Sequence, residues 1–286
     1  CSLWQIASVL RAPAPGVPRR TAGATLTWPE VGKWLLWSCL TAIGPRRIVS
    51  LLRVAAPQYG DTVFYYPVAE HPGVAGMVAL TIDDGVCRQG AQRSMLGEVL
   101  ALLRNESAQA TFFLNSEHLS KGDLERLVHG GHELANHLPA DRAYASLPGP
   151  DFQREFLETD AVLSPYLMGD RRWFRAPNGH LTWAMATVLR GLNATHALGD
   201  CYAEDWAIRD PAVVASLYLR QVQEGSVVIM HMPERGFREH IYEALRLLLR
   251  GLRARGLAAV TLGHLDRVAG GGLGVAGGPA AAAGEA

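Results

Sequence analysis

Two acidic residues, Asp83 and Asp84, follow the apolar run Val78-Ala79-Leu80. The run predicts a buried strand, so both carboxylates stand at the end of a buried element. Adjacent carboxylates repel each other, and burying either one is costly unless a positive charge lies beside it. A bound metal ion would remove that cost, with one Asp as its ligand and the other as a base. The alternative is a turn at a strand end, because Asp-Gly pairs are common in turns.

Polar side chains follow several other apolar runs. The candidates are His137 and Asp141 after the third run, Arg175 and Asn178 after the fourth, Asp205 and Trp206 after the fifth, and Ile229 and His231 at the end of the sixth. In a barrel of βα units the carboxyl ends of the strands meet at one rim, where catalytic groups collect. We therefore expect carboxylates, two histidines and an arginine on one rim. His132 precedes a strand, so we expect it at the opposite end of the barrel.

The elements that must position these residues alternate between apolar runs and helical patterns. We predict strands at Val78–Ile82, Ala110–Leu114, Glu133–Asn136, Trp173–Arg175, Ala194–Leu198, Val227–Met230 and Ala258–Leu262. Between them lie segments with apolar residues at helical spacing, and the fifth begins with Asp210-Pro211, an N-cap followed by proline. Seven strands alternating with six helices predict an α/β fold of parallel βα units, either closed as a barrel or open as a doubly wound sheet.

The flanking segments differ from these units in composition. Residues 1–26 are rich in Pro, Ala and Arg, and we expect them to be irregular. Thr27 and Glu30 have capping-box spacing, which predicts a helix start and a helical extension over 27–60. The alternating units occupy 61–268, and the Gly- and Ala-rich tail 269–286 is expected to be disordered.

The composition limits the class of partner. The chain has 286 residues, 49% of them hydrophobic, so it can bury a large core in one large domain or two small ones. Lys and Arg number 27, as do Asp and Glu, which leaves no electrostatic footprint for nucleic acid or an anionic membrane. A neutral polymer or a small molecule fits this balance better.

Cysteines and sequons bear on the compartment. Four cysteines are too few for a disulfide scaffold, although a bridge between Cys87 and Cys201 stays open because both fall in loops on one face. Sequons beginning at Asn105 and Asn193 favour the secretory pathway without fixing the compartment. The uncharged stretch from Trp34 to Pro45 has 12 residues, too few to span a bilayer, which favours a packed amphipathic helix over a membrane anchor.

The motifs together resemble those of the NodB-type polysaccharide deacetylases, or carbohydrate esterase family four, over about Phe64 to Leu265. The segments that carry the resemblance are Thr81-Ile82-Asp83-Asp84-Gly85, Ala110-Thr111-Phe112-Phe113-Leu114, Gly131-His132-Glu133-Leu134-Ala135-Asn136-His137, Arg175-Ala176-Pro177-Asn178-Gly179, Asp205-Trp206 and Ile229-Met230-His231. The resemblance implies a distorted (β/α)7 barrel, metal-dependent removal of N- or O-acetyl groups from sugars, and an acetylated polysaccharide or oligosaccharide as partner of a monomer. Chitin, peptidoglycan and xylan stay open as the polymer.

The resemblance also implies roles for single residues. Asp83 is the general base and His231 the general acid, while Arg175 holds Asp83 ionised and Asp205 orients His231. The acetyl pocket is formed by the backbone N–H of Asn178 as an oxyanion donor and by Trp206 and Ile229 as walls. The structural alternatives are a core histidine for His231, a rim salt bridge for Arg175 and core packing for Trp206.

The implied metal ligands are Asp84, His137 and Asp141, and here the chain departs from the family pattern. The second motif is normally His-x-x-x-His, but in this chain Asp141 stands where the second His is expected, and Leu138 replaces a polar residue. Two carboxylates and one imidazole favour manganese, magnesium or ferrous iron over the zinc that the family implies. The alternatives are that metal is held weakly or not at all, and that Asp141 pairs with Arg142 or another rim cation.

Three functional hypotheses follow. The first is an enzyme that hydrolyses an acetamide or acetyl ester on a sugar polymer. The second is a carbohydrate-binding protein without catalysis, which the replacement at Asp141 motivates. The third is hydrolysis of a non-sugar amide or cyclic imide on the same barrel, because a fold does not fix the substrate.

Overall fold

The computed structural model describes residues 28–87, 91–167 and 171–270. Its strands are β1 (Met77–Gly85), β2 (Thr111–Leu114), β3 (Glu133–Asn136), β4 (Arg172–Phe174), β5 (Ala194–His196), β6 (Val227–His231) and β7 (Ala258–Val260). Its α-helices are α1 (Trp28–Ile43), α2 (Pro45–Ala55), α3 (Leu96–Asn105), α4 (Lys121–His129), α5 (Gly149–Leu163), α6 (Trp183–Gly191), α7 (Pro211–Gln221), α8 (His240–Ala254) and α9 (Leu262–Val268).

The strands form one curled parallel sheet in the order β5-β4-β3-β2-β1-β6, and β7 pairs with the amino end of β1. The order follows the chain from β1 to β5 without the reversal that marks a doubly wound sheet. Between β5 and β6 the wall is completed by isolated bridges, which join Val63 to Ala197, Tyr65 to Ser226 and Cys201 to Val228. The distorted (β/α)7 barrel is thus confirmed, and the open doubly wound alternative is wrong.

The side chains of β1 alternate between two apolar layers, as the two-residue period of a strand requires. Val78, Leu80 and Ile82 pack outward in the largest apolar cluster, which includes the buried faces of α3, α7 and α8. Ala79 points inward with Phe113 and other residues of the barrel interior. Asp83 lies four residues after Ala79 and therefore points to the same inward side of β1. Its carboxylate thus reaches the mouth of the barrel.

The predicted strand bounds are wrong by a few residues at their ends. Arg175 was predicted within a strand, but β4 ends at Phe174 and Arg175 begins the following loop. Likewise β5 ends at His196, two residues before the predicted end. Single backbone hydrogen bonds continue past both ends, from Arg175 N to the carbonyl oxygen of Asn136 and from Ala197 N to that of Phe174.

The helical extension consists of α1 and α2, and α1 packs against α7. The predicted cap Thr27, the segment 1–26 and the tail from 271 lie outside the described residues. Within the described part of the chain, every helix is too short or too polar to cross a lipid bilayer.

The disulfide that the sequence left open does not form. Cys87 Sγ lies 3.2 Å from Glu234 Oε2, and Cys201 Sγ lies 3.4 Å from the carbonyl oxygen of Tyr218. Both thiols are buried.

The closure of the barrel generates a stability prediction at Gly225. Its φ is +74°, and a Cβ there would lie 1.8 Å from the carbonyl oxygen of Tyr66. Gly236 is the matched control, since its φ is +71° but no atom lies within 4 Å of such a Cβ. Left-handed backbone alone costs a non-glycine residue about 1–2 kcal/mol. We expect Gly236→Ala to lose about that much unfolding free energy and Gly225→Ala about 3 kcal/mol or more, measured by urea denaturation. Equal losses of unfolding free energy in the two variants would show that the Tyr66 carbonyl group moves aside at little cost.

Candidate active site

Asp83 and His231 are neighbours across the sheet. They are paired residues in the parallel register of β1 and β6, at the carboxyl ends of both strands. Adjacent parallel strands lie about 4.8 Å apart, so both side chains reach the same mouth of the barrel. Both line one cavity of about 970 Å³.

Arg175 is a fully buried cation that reaches across the barrel interior to Asp83. Its Nη1 donates to Asp83 Oδ1 at 2.5 Å and to Thr81 Oγ1 at 2.8 Å. Its Nε donates to the carbonyl oxygen of Ala197 at 3.0 Å, and its guanidinium carbon lies 4.0 Å from the ring centroid of Phe113. Burying a guanidinium is tolerable only when its donors are satisfied in this way. Arg175 therefore supplies the positive charge that the Asp83 carboxylate needs.

His231 is held by Asp205. Because a carboxylate only accepts, Nδ1–H of His231 donates to Asp205 Oδ1 at 2.6 Å, and its backbone N–H donates to Oδ2 at 2.9 Å. The carbonyl oxygen of Asp205 lies 2.7 Å from Nε2 of His240, which fixes this loop further. Burial alone would lower the pKa of His231, but the Asp205 charge and hydrogen bond, followed by Asp84 and Asp83, raise it to about 9. The imidazole is therefore protonated at neutral pH.

His137 and Asp84 lie beside each other in the same cavity. His137 Nε2 lies 3.5 Å from Asp84 Oδ1, while His137 Nδ1 donates to the carbonyl oxygen of Arg175 at 2.8 Å. Burial would raise the pKa of Asp84, yet the His137 hydrogen bond and the charges of His231, His137 and Arg238 lower it well below its ordinary value. Burial would lower the pKa of His137, but Asp84 and Asp83 raise it.

Arg238 also lines this cavity, although the sequence analysis did not predict it there. Its Nη1 donates to Asp84 Oδ2 at 2.6 Å, and both side chains are buried. The loop after β6 carries Arg238, so it belongs to the same rim as His231. It stands seven residues after His231, and no motif in the sequence singles it out.

Asp141 does not join Asp84 and His137 in a metal-ligand cluster. It is half-exposed and lines the same cavity, but the described residues contain no group of three His, Cys, Asp or Glu side chains that could hold a metal ion. Arg142 does not pair with it either, because its guanidinium forms a two-pronged bond to Glu155 at 2.7 and 2.8 Å. As arranged, with one Asp84 oxygen already held by Arg238, these residues do not fit the three-ligand metal site that the resemblance implies.

The cavity has a polar end and an apolar wall. Asn178, Trp206 and Ile229, the predicted pocket residues, all line it. Trp206 is 46% exposed, so the core alternative for it is wrong, and its Nε1 donates to the Tyr202 hydroxyl at 3.0 Å. The opposite wall comes from the helical extension and is formed by Leu40, Pro45, Ile48, Val49 and Leu52.

Left-handed backbone recurs in the loops at this rim. Asp84, Leu138, Asn178 and Glu204 have φ values of 58°, 64°, 58° and 46°. Such conformations are costly for non-glycine residues and are found preferentially at functional sites. Here they turn the chain at strand ends, so that side chains of successive loops converge on the cavity.

Two other polar groups are structural. Asp200 accepts from Arg46 Nε at 2.9 Å, Ser226 Oγ at 3.0 Å and Val227 N at 3.0 Å, so it ties the helical extension to the barrel. Burial raises its pKa to about 6. His132 is buried away from the rim, accepts from Ala110 N at 3.2 Å and has its pKa lowered to about 4 by burial.

Known proteins resemble this chain in sequence and in fold. The polysaccharide deacetylase family matches residues 71–197. A peptidoglycan-N-acetylglucosamine deacetylase from Bacillus cereus is 25% identical over 71% of this chain and 93% of its own length. A chitooligosaccharide deacetylase from Sinorhizobium fredii is 28% identical over 64% of this chain and 88% of its own length.

A solved structure of a pseudoenzyme of carbohydrate esterase family four, from Bacillus anthracis, superimposes with a TM-score of 0.57 at 21% identity. The match covers 66% of this chain and 65% of that one. The likeness of the two structures shows that this chain has the barrel fold of carbohydrate esterase family four. The family match and the two relatives support the NodB-type polysaccharide deacetylases, carbohydrate esterase family four, as the family that this chain resembles.

The buried pair His231–Asp205 generates a spectroscopic prediction. Replacing Asp205 by Asn removes the negative charge that outweighs burial, so the pKa of His231 should fall from about 9 by at least about 1 unit. Titration of the histidine ring resonances by NMR measures this. His132 serves as an internal control, because its pKa is set by burial at a distant position and should stay unchanged. A His231 pKa that does not respond to Asp205→Asn would contradict the assignment of its cause.

Proposed function

We propose that the protein removes acetyl groups from the sugars of an acetylated glycan, with Asp83 as general base and His231 as general acid. The observation that carries the proposal is the pairing of these two residues across β1 and β6, facing one cavity. Each has its own buried counter-ion, Arg175 and Asp205 respectively. A binding protein needs no such matched pair of a carboxylate and an imidazole, each held by its own counter-ion.

Asp83 suits proton abstraction. Its ion pair with Arg175 engages Oδ1, so Oδ2 is the oxygen that would take a proton from water. A positioned general base accelerates such a step by about 10²–10⁴-fold.

His231 suits proton donation to the leaving amine or alcohol. Asp205 holds Nδ1, which directs Nε2–H to the reacting group and stabilises the charged ring. The same division of labour between an imidazole and a buried carboxylate recurs in hydrolases of unrelated folds.

The acetyl group would sit between Trp206 and Ile229, with the backbone N–H of Asn178 as a donor to the developing oxyanion. Losing one such donor commonly costs about 3 kcal/mol of transition-state stabilisation. The left-handed backbone of Asn178 sets the direction of that N–H group. These assignments follow from the cavity lining.

The family resemblance implies a divalent metal ion, which would polarise the acetyl carbonyl. As described above, Asp84 and His137 supply two donors, but Arg238 already holds one Asp84 oxygen. We therefore assign the roles of Asp83 and His231 without a step through a metal. As substrate we propose a glycan with N-acetylglucosamine, since the deacetylases from Bacillus cereus and Sinorhizobium fredii are named for peptidoglycan N-acetylglucosamine and chitooligosaccharide.

A second candidate function is glycan binding without turnover. The Arg238–Asp84 pair favours it, because it occupies a carboxylate that the family uses for metal. Acetate release from N-acetylglucosamine oligomers, measured beside binding of the same oligomers, separates the two functions.

The role of Asp83 is tested by Asp83→Asn. Turnover should fall by about 10²–10⁴-fold, measured as acetate release under saturating oligomer, while the folded structure is kept. Asp151→Asn is the control, because Asp151 is an acidic residue in an exposed ion pair with Arg154 and should leave the rate unchanged. Retention of more than about a tenth of the activity would assign the base elsewhere.

The role of His231 is tested by the pH dependence of the rate. The protonated ring is the active form, so kcat/KM should be lost as pH rises through about 9. Asp205→Asn should move this alkaline limb to lower pH, and His231→Ala should remove it together with most of the activity. An alkaline limb that stays in place in both variants would identify a different acid.

A further inference from the structure

The Asp84 carboxylate is neutralised by a cation that belongs to the protein. Arg238 Nη1 lies 2.6 Å from Asp84 Oδ2, and the two side chains are only 7% and 3% exposed. At this distance and burial the pair is a charge-assisted hydrogen bond shielded from solvent. Asp84 therefore meets its need for a positive charge without a metal ion.

The loop after β6 holds Arg238 in position. The backbone N–H of Arg238 donates to the carbonyl oxygen of Glu234 at 3.1 Å, and the carbonyl oxygen of Arg238 accepts from Ile241 N at 3.0 Å. Its guanidinium carbon lies 5.1 Å from the ring centroid of Phe237. Because both neighbouring turns are hydrogen-bonded and the side chain is buried, Arg238 is a fixed part of the site.

We propose that Arg238 is the resident cation of the Asp84 site and that it keeps the affinity of the native protein for divalent metals low. A metal on Asp84 and His137 would sit beside a permanent positive charge, which repels it. To give both Asp84 oxygens to the metal, the ion pair must break and leave a buried guanidinium without its partner, which is strongly unfavourable. The proposal is independent of the substrate and of whether turnover occurs.

Arg238 and Asp141 carry opposite charges at one rim. An Asp in place of the expected His adds a carboxylate near the cavity, and Arg238 adds a guanidinium. Replacing Asp141 by His therefore leaves the positive charge of Arg238 in place. Asp141→His alone should gain little metal affinity, whereas Asp141→His combined with Arg238→Gln should gain more than either single change.

The test is calorimetric titration of chelator-treated, full-length protein with zinc and with manganese. Arg238→Gln should tighten metal binding by about ten- to a hundredfold, and Arg238→Lys, which keeps the charge, should gain much less. Arg246→Gln is the matched control, since Arg246 lies on α8 in a half-exposed pair with Glu243, and the metal affinity of this variant should equal that of the native protein. Asp84→Asn in the Arg238→Gln background should abolish the gain and so locate the metal.

Two outcomes would overturn the proposal. One is equal metal affinity in the native protein and in folded Arg238→Gln. The other is binding by the native protein with a Kd below about 1 μM that Asp84→Asn abolishes. The second outcome requires no Arg238 variant, so it decides the matter even if Arg238→Gln fails to fold. Acetate release plays no part in either readout, so failure here is distinct from failure of the proposed deacetylation.

Discussion

The buried ion pair of Asp83 with Arg175 joins the end of β1 to the loop after β4 through the barrel interior. The same arginine donates to carbonyl groups that follow β5, and its own carbonyl oxygen accepts from His137 after β3. Four rim segments are thereby joined through this one residue. An uncompensated charge at this depth would be very costly, so the positions of these loops are mutually dependent. The catalytic geometry we propose exists because the Asp83 carboxylate could be buried only with this partner.

Much of this arrangement could be predicted from the sequence, because strand ends carry the chemistry of a βα barrel. Asp83, His137 and His231 each follow an apolar run, and each lies at the rim in the structure. Arg238 could not be found in the same way. It stands seven residues after His231, where helical spacing begins, and nothing in a one-dimensional pattern distinguishes a buried arginine from a solvated one. The closing bridges of Val63 and Tyr65 were likewise unpredictable, since single bridges leave no periodic pattern.

The two aspartates of the first motif show how burial separates chemically identical neighbours. Successive residues of a strand point to opposite sides, and the left-handed backbone of Asp84 turns its carboxylate away from that of Asp83. Each therefore finds a different arginine, Arg175 from the loop after β4 and Arg238 from the loop after β6. Repulsion between the two carboxylates, which the sequence suggested a metal would relieve, is relieved here by two guanidinium groups. The protein thus meets one electrostatic demand in a way that its family resemblance did not imply.

The helical extension adds a constraint on what can enter this site. Both of its helices, α1 and α2, supply apolar side chains to the cavity wall. Arg46 of α2 bonds to Asp200 at 2.9 Å, beside the carboxyl end of β5, which anchors that wall to the barrel. A ligand must therefore present a polar, reactive group toward Asp83 and His231 and an apolar face toward Ile48 and Leu52. A pyranose ring has both kinds of surface, since its C–H face is apolar and its substituents are polar, and apolar walls with a few placed polar groups are the usual form of a ligand site.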